Sequence, residues 1–243
     1  MEIYDTLKIG CSYFSVGFAL KKRNVIICEE NQICDNRFYL PLRSYKYSPY
    51  FPSTEEGKKL LDIFSSLNLI QGDFQNINGF ECGFCKFLLE EKAEILLKCR
   101  VIKTEKENGI YKVTVHTNEG LSFIYAKSVL NTLNKGNNKF FTLLFTTDNI
   151  KEVSEKLICT FSGAYIEPAF YEKRYALYIP VSASDENEVK LNIYQKWRNL
   201  NINAKIIYMA PVFSTEYDGK TLCDEKFSNP VEALEAGLSE GAK

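Results

Sequence analysis

The first thirty residues place the tightest constraint on how this chain can fold. Residues 4–9 are apolar or β-prone for the most part and end at Gly10. Residues 12–22 have the character of a short helix, closed by basic residues at 21–23 that suit the negative end of a helix dipole. Residues 25–28 form a continuous apolar run, which is typical of a strand buried on both faces of a parallel sheet. The stretch therefore predicts a βαβ unit.

The turn of this unit has the spacing of a dinucleotide-binding fingerprint, Gly-x-Gly-x-x-Gly, although Gly10, Ser12 and Ser15 occupy its three positions. In such a turn, N–H groups at the helix start face a pyrophosphate, and an acid about 20 residues on binds the ribose hydroxyls. Glu29 stands at that acidic position. Two interpretations of Ser12 stay open, because its side chain either crowds the phosphate or donates a hydrogen bond to it. A third interpretation also stays open, in which the stretch is a buried strand–helix–strand that binds no ligand.

Composition narrows the class of protein. The chain has 243 residues, enough for one large domain or two modest ones, with 45% hydrophobic and 25% charged residues as in soluble globular proteins. A net charge of −1 gives no electrostatic reason to expect nucleic acid or an anionic membrane as partner. No apolar run approaches the ~20 residues that a membrane span needs. With a strand predicted from about residue 4, we expect no signal peptide and a cytoplasmic protein.

Cysteine and histidine usage bears on catalysis and metal binding. The eight cysteines are expected to be reduced thiols. Cys82 and Cys85 form a CxxC on a predicted helix at 80–92, where positions three apart share a face, so they are either a redox dithiol or two small buried residues. His116, on an alternating strand, is the sole histidine. We therefore predict no metal site and no histidine-based catalysis.

The remaining segments alternate between strands and helices. The first part is predicted to contain an irregular aromatic and proline-rich stretch at 31–53, helices at 54–67 and 80–92, a buried strand at 93–100, three antiparallel segments at 100–106, 110–117 and 121–126, and a strand at 126–134 that returns to the main sheet. Beyond a shift of composition at 135–138, the chain is predicted to contain strands at 139–146, 157–163, 174–182 and 203–212, a helix at 185–200, and a short final helix from Pro230 with Asn229 as its cap.

This order of elements resembles the FAD-dependent oxidoreductases of the glutathione-reductase-like class, over residues 3–134 and 225–240. The resemblance implies an α/β fold with a Rossmann-like FAD/NAD(P)-binding domain, built on a parallel sheet and a β-meander, plus a smaller α/β second domain. The FAD-binding domain would comprise 1–134 and 215–243. Residues 135–214 would stand where the family has its substrate domain.

The resemblance also implies a cofactor, FAD, and a set of residues around it. In this family the strand after the meander ends in Ala-Thr-Gly beside the cofactor, where this chain has Asn131, Thr132 and Leu133. The final helix of the family points its N-terminus at the flavin. The implied FAD-binding residues are Gly10, Ser12, Tyr13, Phe14, Ser15, Glu29, Glu30, Arg37, Thr132, Asn229 and Pro230. No residue stands out as catalytic, and the small-molecule substrate is not indicated.

Three functions follow from these observations. The first is an FAD-dependent oxidoreductase or an FAD-binding homologue of one. The second is a non-catalytic relative that serves as a nucleotide-binding or interaction module, which Ser12 and Leu133 favour. The third is a thiol-redox protein that uses Cys82 and Cys85.

Overall fold

The structure of the protein is a computed structural model that describes the chain in segments. These segments are residues 2–30, 48–72, 74–76, 79–132, 139–182, 185–210, 214–215, 226–227 and 229–243. The first half contains β1 (Ile3–Ile9), α1 (Tyr13–Lys21), β2 (Val25–Cys28), α2 (Glu55–Ser66), β3 (Ile70–Gln71), β4 (Phe74–Gln75), α3 (Phe80–Glu91), β5 (Ile95–Leu96), β6 (Arg100–Glu107), β7 (Ile110–Thr117) and β8 (Gly120–Asn131). The second half contains β9 (Lys139–Thr146), α4 (Ile150–Thr160), β10 (Tyr165–Pro168), β11 (Arg174–Val181), α5 (Glu186–Asn199), β12 (Lys205–Met209), β13 (Ser214–Thr215) and α6 (Pro230–Gly241).

The first sheet combines a parallel half with an antiparallel meander. Its strand order is β5-β2-β1-β8-β7-β6, with β1 parallel to both β2 and β8. A single long strand, β8, joins the two halves: residues 125–131 pair with β1, and residues 120–126 pair with β7. The predicted separation into strands at 121–126 and 126–134 is therefore wrong. The predicted fold class, a Rossmann-like parallel sheet with a β-meander, is confirmed.

The predicted buried strand at 93–100 is also wrong in extent and burial. Only Ile95 and Leu96 pair with β2, and they do so at the edge of the sheet. Leu96 is 37% exposed and Leu97 is 44% exposed. The chain turns at Lys98, whose φ of 52° interrupts the extended backbone before β6 begins.

Helices α1 and α6 pack with their backbones in direct contact. A Cβ atom on Gly17 would collide with the carbonyl oxygen of Leu234, and one on Gly237 would collide with that of Phe14. A Cβ on Gly241 would lie 2.5 Å from the carbonyl oxygen of Phe18. Because Gly237 faces Phe14 and Gly241 faces Phe18, the two helices run in the same direction. Both therefore begin at the edge of the sheet where β1 ends.

The second sheet is antiparallel and has the order β10-β11-β9-β12, with β13 also paired to β9. Helices α4 and α5 cover one face, where Leu157 and Trp197 pack with Phe145 in one cluster. From the other face, Leu144 and Tyr178 join the large core formed by α1, α2, α3 and α6. This sheet and its helices fit the predicted smaller α/β second domain.

Helix α4 replaces the strand predicted at 157–163. The Asn149 side chain accepts a hydrogen bond from the Glu152 N–H at 3.4 Å and caps the first turn. Val153 and Leu157, four residues apart, are the buried side chains of the helix. The apolar residues after 156 thus belong to a helix end, and the strand that follows is β10, which the sequence pattern did not predict.

Gly237→Ala tests the contact between α1 and α6. The variant is expected to lower the free energy of unfolding by about 2–3 kcal/mol, because the added methyl group overpacks the contact with Phe14. At an exposed helix position, the same change stabilises by roughly 1 kcal/mol. Ser239→Ala, at an exposed position of α6, serves as control and should change stability by less than about 0.5 kcal/mol. Urea unfolding measures both variants, and unchanged stability of Gly237→Ala would contradict the close packing.

Candidate functional site

The turn between β1 and α1 begins at Gly10, which has a φ of 98°. A side chain at this position would strain the backbone, so glycine at the first fingerprint position has a direct structural cause. The Gly10 N–H donates to the carbonyl oxygen of Cys28 at 2.9 Å, which fixes the turn against the end of β2. The carboxyl ends of β1 and β2 therefore lie beside the start of α1.

Ser12 caps α1 with its side chain. Its Oγ accepts a hydrogen bond from the Ser15 N–H at 3.0 Å and lies 2.9 Å from Ser15 Oγ, to which its hydroxyl donates. The side chain of Ser12 is thus directed into the protein, and only 2% of the residue is exposed. Of the two interpretations of Ser12, crowding or direct donation to a phosphate, neither describes this orientation. The serine instead holds the first turn of the helix.

The hydroxyl of Ser15 continues this arrangement into a chain of hydrogen bonds. Thr132 Oγ1 donates to the carbonyl oxygen of Ile9 at 2.9 Å, so Ser15 Oγ donates to Thr132 Oγ1 at 3.0 Å. Ser15 is fully buried and Thr132 is 2% exposed. The three hydroxyls of Ser12, Ser15 and Thr132 therefore satisfy one another in sequence, and they connect the start of α1 to the end of β8.

Glu29 follows β2 and turns its carboxylate towards the same turn. Its Oε2 accepts a hydrogen bond from the Cys11 N–H at 2.8 Å, and the residue is 2% exposed. A buried carboxylate requires such partners, because an unpaired charge is costly away from water. The structure thus brings Glu29 together with the fingerprint turn, as the sequence predicted.

Two further predicted residues have side chains in the core. The ring of Tyr13 is 3.9 Å from that of Phe84 between centroids, and Tyr13 is 1% exposed. Phe14 stacks on Phe227 with centroids 6.2 Å apart and is 2% exposed. These side chains anchor α1, so any contact of Tyr13 or Phe14 with a ligand would involve their backbone.

Asn229 and Pro230 begin α6 on the same side of the molecule as the turn. The Asn229 side-chain oxygen accepts from the Val231 N–H at 2.8 Å, and its amide donates to the Ser48 carbonyl oxygen at 3.0 Å. The predicted cap is therefore confirmed. From its pairing with α1, α6 begins about one helical turn further out than α1. The starts of the two helices thus lie near each other.

Of the remaining predicted residues, Glu30 is among those that the structure describes. The side chain of Glu30 is 63% exposed, and its Oε1 lies 3.3 Å from Arg100 Nε. Arg37 and Leu133 lie outside the residues that the structure describes.

The cysteines of the CxxC differ in exposure. Cys82 is exposed, whereas Cys85 is partly buried. The interpretation as two buried residues is therefore wrong for Cys82. His116 lies on β7 and is exposed, as expected for a surface residue. Among the described residues there is no group of histidine, cysteine or acidic side chains that could hold a metal ion, and no helix long and apolar enough to cross a membrane.

Glu235 is a buried, multiply hydrogen-bonded acid that the sequence did not predict as a site residue. Its Oε1 accepts from the backbone N–H groups of Ser53 and Thr54 at 2.8 and 2.6 Å. Its Oε2 accepts from the hydroxyl of Tyr50 at 2.7 Å. Burial raises the pKa of Glu235, but the hydrogen bonds, chiefly those from Thr54, more than offset this, so the pKa lies below its ordinary value of 4.5. This carboxylate fastens α6 to the start of α2. The sequence signal that could have identified Glu235 is that it is the one acid on the apolar face of α6.

Lys8 is a second buried charge that the sequence analysis missed. It lies in β1, is 2% exposed, and its Nζ lies 3.8 Å from the ring centroid of Phe18 and 5.0 Å from that of Phe14. Burial lowers the pKa of Lys8 to about 8, although Glu240 opposes the shift. The lysine therefore sits directly beneath α1, held by the faces of two aromatic rings.

Comparison with known proteins identifies the fold. No protein-family model and no curated protein matches the sequence. Among solved structures, BexE, studied for oxidation during BE-7585A biosynthesis, matches with a TM-score of 0.57 at 10% identity over 99% of this chain and 61% of BexE. CabE, an aromatic hydroxylase from angucycline biosynthesis, matches with a TM-score of 0.54 at 10% identity over 88% of this chain and 53% of CabE.

A third match covers a larger share of the solved structure's own length. The p-nitrophenol 4-monooxygenase PnpA from Pseudomonas putida DLL-E4 matches with a TM-score of 0.53 at 14% identity, over 100% of this chain and 82% of PnpA. At such low identity these matches show a shared fold. The chain spans less than two thirds of the length of both BexE and CabE.

Glu235→Gln tests the anchoring of α2. The variant is expected to lose about 3 kcal/mol of stability at pH 7, because one amide oxygen replaces two carboxylate oxygens and the amide N–H groups face other donors. Since the pKa of Glu235 is lowered in the folded protein, the contribution is present above pH 4.5 and is lost on acidification. Glu155→Gln, at an exposed position of α4, is the control. Equal losses in both variants, measured by urea unfolding, would contradict the role of Glu235.

Lys8→Met tests the cost of the buried charge. The variant is expected to be more stable than the native protein at pH 7, by up to about 3 kcal/mol, because methionine needs no desolvation of a charge. The pKa of Lys8 is about 8 in the folded state against an ordinary 10.5, so the unfolded chain binds more protons between these values. The native protein should therefore gain stability relative to the variant as pH rises from 8 to 10.5.

Unfolding curves at pH 7, 9 and 10.5 measure this difference, with Lys151→Met at an exposed position as control. A difference between native and Lys8→Met proteins that does not change with pH would contradict burial of the charged amine.

Proposed function

We propose that the chain binds FAD and is an oxidoreductase of the flavoprotein type, or a homologue of one that keeps the cofactor. The observation that carries the proposal is the cluster at the carboxyl edge of the first sheet. There the positive-φ turn at Gly10, the start of α1, and the buried carboxylate of Glu29 lie together. This is the arrangement that a dinucleotide requires, namely backbone donors for the pyrophosphate and an acid for the ribose.

The residues of the cluster fit the cofactor. The turn from Gly10 to Ser15 would hold the pyrophosphate, since the inward direction of the Ser12 hydroxyl keeps this side chain from the outer side of the turn. Glu29 would bind the ribose. One of its oxygens already accepts from Cys11, and a carboxylate has about four lone-pair sites, so the two roles are compatible.

The other proposed contacts complete the site. Thr132 stands at the end of β8 beside the turn, and Asn229 and Pro230 begin α6 near the start of α1. Glu30 and Arg37 would add contacts that the family resemblance implies. FAD, when bound, supplies the redox chemistry of such proteins. The protein supplies position and electrostatics.

Similarity of fold supports this proposal. Two of the matched structures are described as an aromatic hydroxylase and a p-nitrophenol 4-monooxygenase, both of which are oxidative enzymes. We further propose that the subtype is glutathione-reductase-like, that residues 1–134 with 215–243 form the cofactor domain and 135–214 the substrate-like domain, and that the protein is cytoplasmic. The substrate is a small molecule whose class these observations do not specify.

One observation favours a second function, a non-catalytic relative that binds a nucleotide or a protein partner. The Ser15 N–H already donates its hydrogen bond to the Ser12 hydroxyl. This N–H is therefore not free to bind an anion at the start of α1. Such a protein would bind ADP as well as it binds FAD. The CxxC of Cys82 and Cys85 leaves thiol-redox activity as a weaker third candidate, favoured by the exposure of Cys82.

Ligand binding to the native protein separates these functions. The FAD proposal predicts a yellow protein that absorbs at about 450 nm after purification or after incubation with FAD. It also predicts that FAD at ~100 Kd raises the free energy of unfolding by about 2.7 kcal/mol, and that ADP at equal concentration raises it less. Equal shifts with ADP and FAD would favour the non-catalytic relative. A colourless protein that FAD does not stabilise would refute the proposal.

A variant pair locates the site. Glu29→Gln is expected to weaken FAD binding by about tenfold, because the neutral amide bonds less strongly to a ribose hydroxyl. Glu119→Gln, in an exposed hairpin, should leave FAD affinity unchanged. Equal affinities for both variants would place any bound FAD elsewhere.

A further inference from the structure

A cavity opens at the amino end of the first sheet, where the meander leaves the parallel strands. The pairing of β8 with β1 begins at Tyr125, whereas its pairing with β7 extends back to Gly120. The two halves of the sheet therefore part at Tyr125. The cavity between them has a volume of about 370 Å³. Sites for small molecules typically have volumes of about 300–1,000 Å³, so this amino-end cavity has room for a small ligand.

The amino-end cavity is separate from the fingerprint turn. Tyr4, near the start of β1, lines the cavity, whereas Gly10 follows the end of this strand. An extended strand rises about 3.3 Å per residue, so the cavity and the turn lie roughly 20 Å apart. Any ligand of the cavity would therefore bind independently of a cofactor at the turn.

Most of the wall of this cavity is apolar. Ile26 of β2 and Ile124 of β8 line it and are buried. Leu96 of β5 and Phe123 of β8 also line it, but they are exposed, and Phe123 keeps 53% of its surface in contact with solvent. An apolar group placed against these two side chains would remove their surface from water, which is favourable.

Two carboxylates, those of Glu2 and Glu94, line the same cavity. The Tyr4 hydroxyl donates to Glu94 Oε1 at 2.7 Å, and the Glu94 carbonyl oxygen accepts from the Ile27 N–H at 3.1 Å. Burial raises the pKa of Tyr4, and the hydrogen bond to Glu94 and the charges of Glu94 and Glu2 raise it further. The hydroxyl therefore stays protonated at neutral pH and holds the Glu94 carboxylate in place.

The described lining of the cavity contains no cation that balances these two charges. Within the segments that the structure describes, neither Glu2 nor Glu94 takes part in an ion pair. The Lys112 Nζ lies 4.3 Å from the ring centroid of Phe123, but this lysine stands opposite Glu105 in the meander and lowers the pKa of that carboxyl group. The cavity thus combines apolar walls with uncompensated negative charge.

We propose that the amino-end cavity binds a small arylalkylamine as its ammonium ion. The ammonium group would lie at Glu2 and Glu94, and the aromatic group would lie against Leu96 and Phe123. Glu94 accepts one hydrogen bond from Tyr4, and a carboxylate has about four lone-pair sites, so it can also accept from an ammonium group. The two negative charges disfavour a carboxylate or a phosphate as occupant.

An aryl group suits this cavity better than an alkyl chain of similar size. Tyr4, Phe123 and Tyr125 all line the cavity, so three aromatic rings surround the space. Aromatic pairs gain free energy beyond the area that they bury when they stack or meet edge to face. The lining therefore selects for both the charge and the ring of the ligand.

Calorimetric titration of the full native chain at pH 7 tests the proposal. The probe is 2-phenylethylamine, which is cationic at this pH. Three matched probes separate its parts: 2-phenylethanol lacks the charge, phenylacetate reverses it, and ethylamine lacks the ring. We expect 2-phenylethylamine to bind with a Kd of about 1 mM or below. We also expect it to bind at least about fivefold more tightly than each matched probe. A smaller preference, or no binding, would overturn the proposal.

Two pairs of variants locate the binding site. Glu2→Gln/Glu94→Gln should abolish the preference for 2-phenylethylamine over 2-phenylethanol, since a glutamine oxygen still accepts from Tyr4 but carries no charge. Glu155→Gln, exposed on α4, is its control and should keep the preference. An unchanged preference in the double variant would overturn the assignment of the amine to this cavity.

The second pair tests the apolar wall. Phe123→Ser should weaken the binding of 2-phenylethylamine by about threefold or more, because the ring no longer covers the aryl group. Leu121→Ser changes an exposed apolar residue of the same strand that does not line the cavity, and it should leave the affinity unchanged. Equal affinities of these two variants would contradict the proposed position of the aryl group. Circular dichroism verifies folding, and the probe series on the native chain decides the proposal if a variant does not fold.

Discussion

Direct backbone contact between α1 and α6 holds the candidate site together. It depends on Gly17, Gly237 and Gly241, since a Cβ at any of them would meet a carbonyl oxygen of the facing helix. The contact sets where α6 begins relative to the turn at Gly10. Through Glu235, α6 also fixes the start of α2. One helix crossing thus positions the starts of three helices and the edge of the first sheet.

The hydroxyl chain explains how the fingerprint tolerates serine at two glycine positions. Gly10 is needed for its positive φ, and it is retained. Ser12 and Ser15 need only a place for small polar side chains, which they obtain by bonding to each other and to Thr132. The glycines of such a turn therefore have separable roles, in backbone conformation and in space. A count of matching glycines underestimates how closely this turn resembles the fingerprint, because the serine side chains at the substituted positions form their hydrogen bonds inside the protein.

The features that the sequence predicted correctly are fixed by neighbouring residues. Several of those it missed depend on contacts between residues far apart in the chain. The turn at Gly10 and the cap at Asn229 were predictable because each is fixed within a few residues. Helix α4 was missed because apolar residues near its end outweighed the cap at Asn149. Glu235 was missed because it bonds to Ser53, 182 residues away, and no periodicity reports such a contact. The exposure of Leu96 was missed because it depends on the edge position of β5 in the sheet.

The crossing of α1 and α6 has a consequence for biosynthesis. Residues 230–241 emerge from the ribosome long after 13–21, and at about 5–20 residues per second this delay is roughly ten seconds or more. During that interval the face of α1 that carries Gly17 has no covering helix. The first βαβ unit therefore completes its packing only once residues 230–241 have been synthesised, and such high contact order is typical of slow folding. Nascent chains of this protein would be natural clients of a chaperone that binds apolar helix faces.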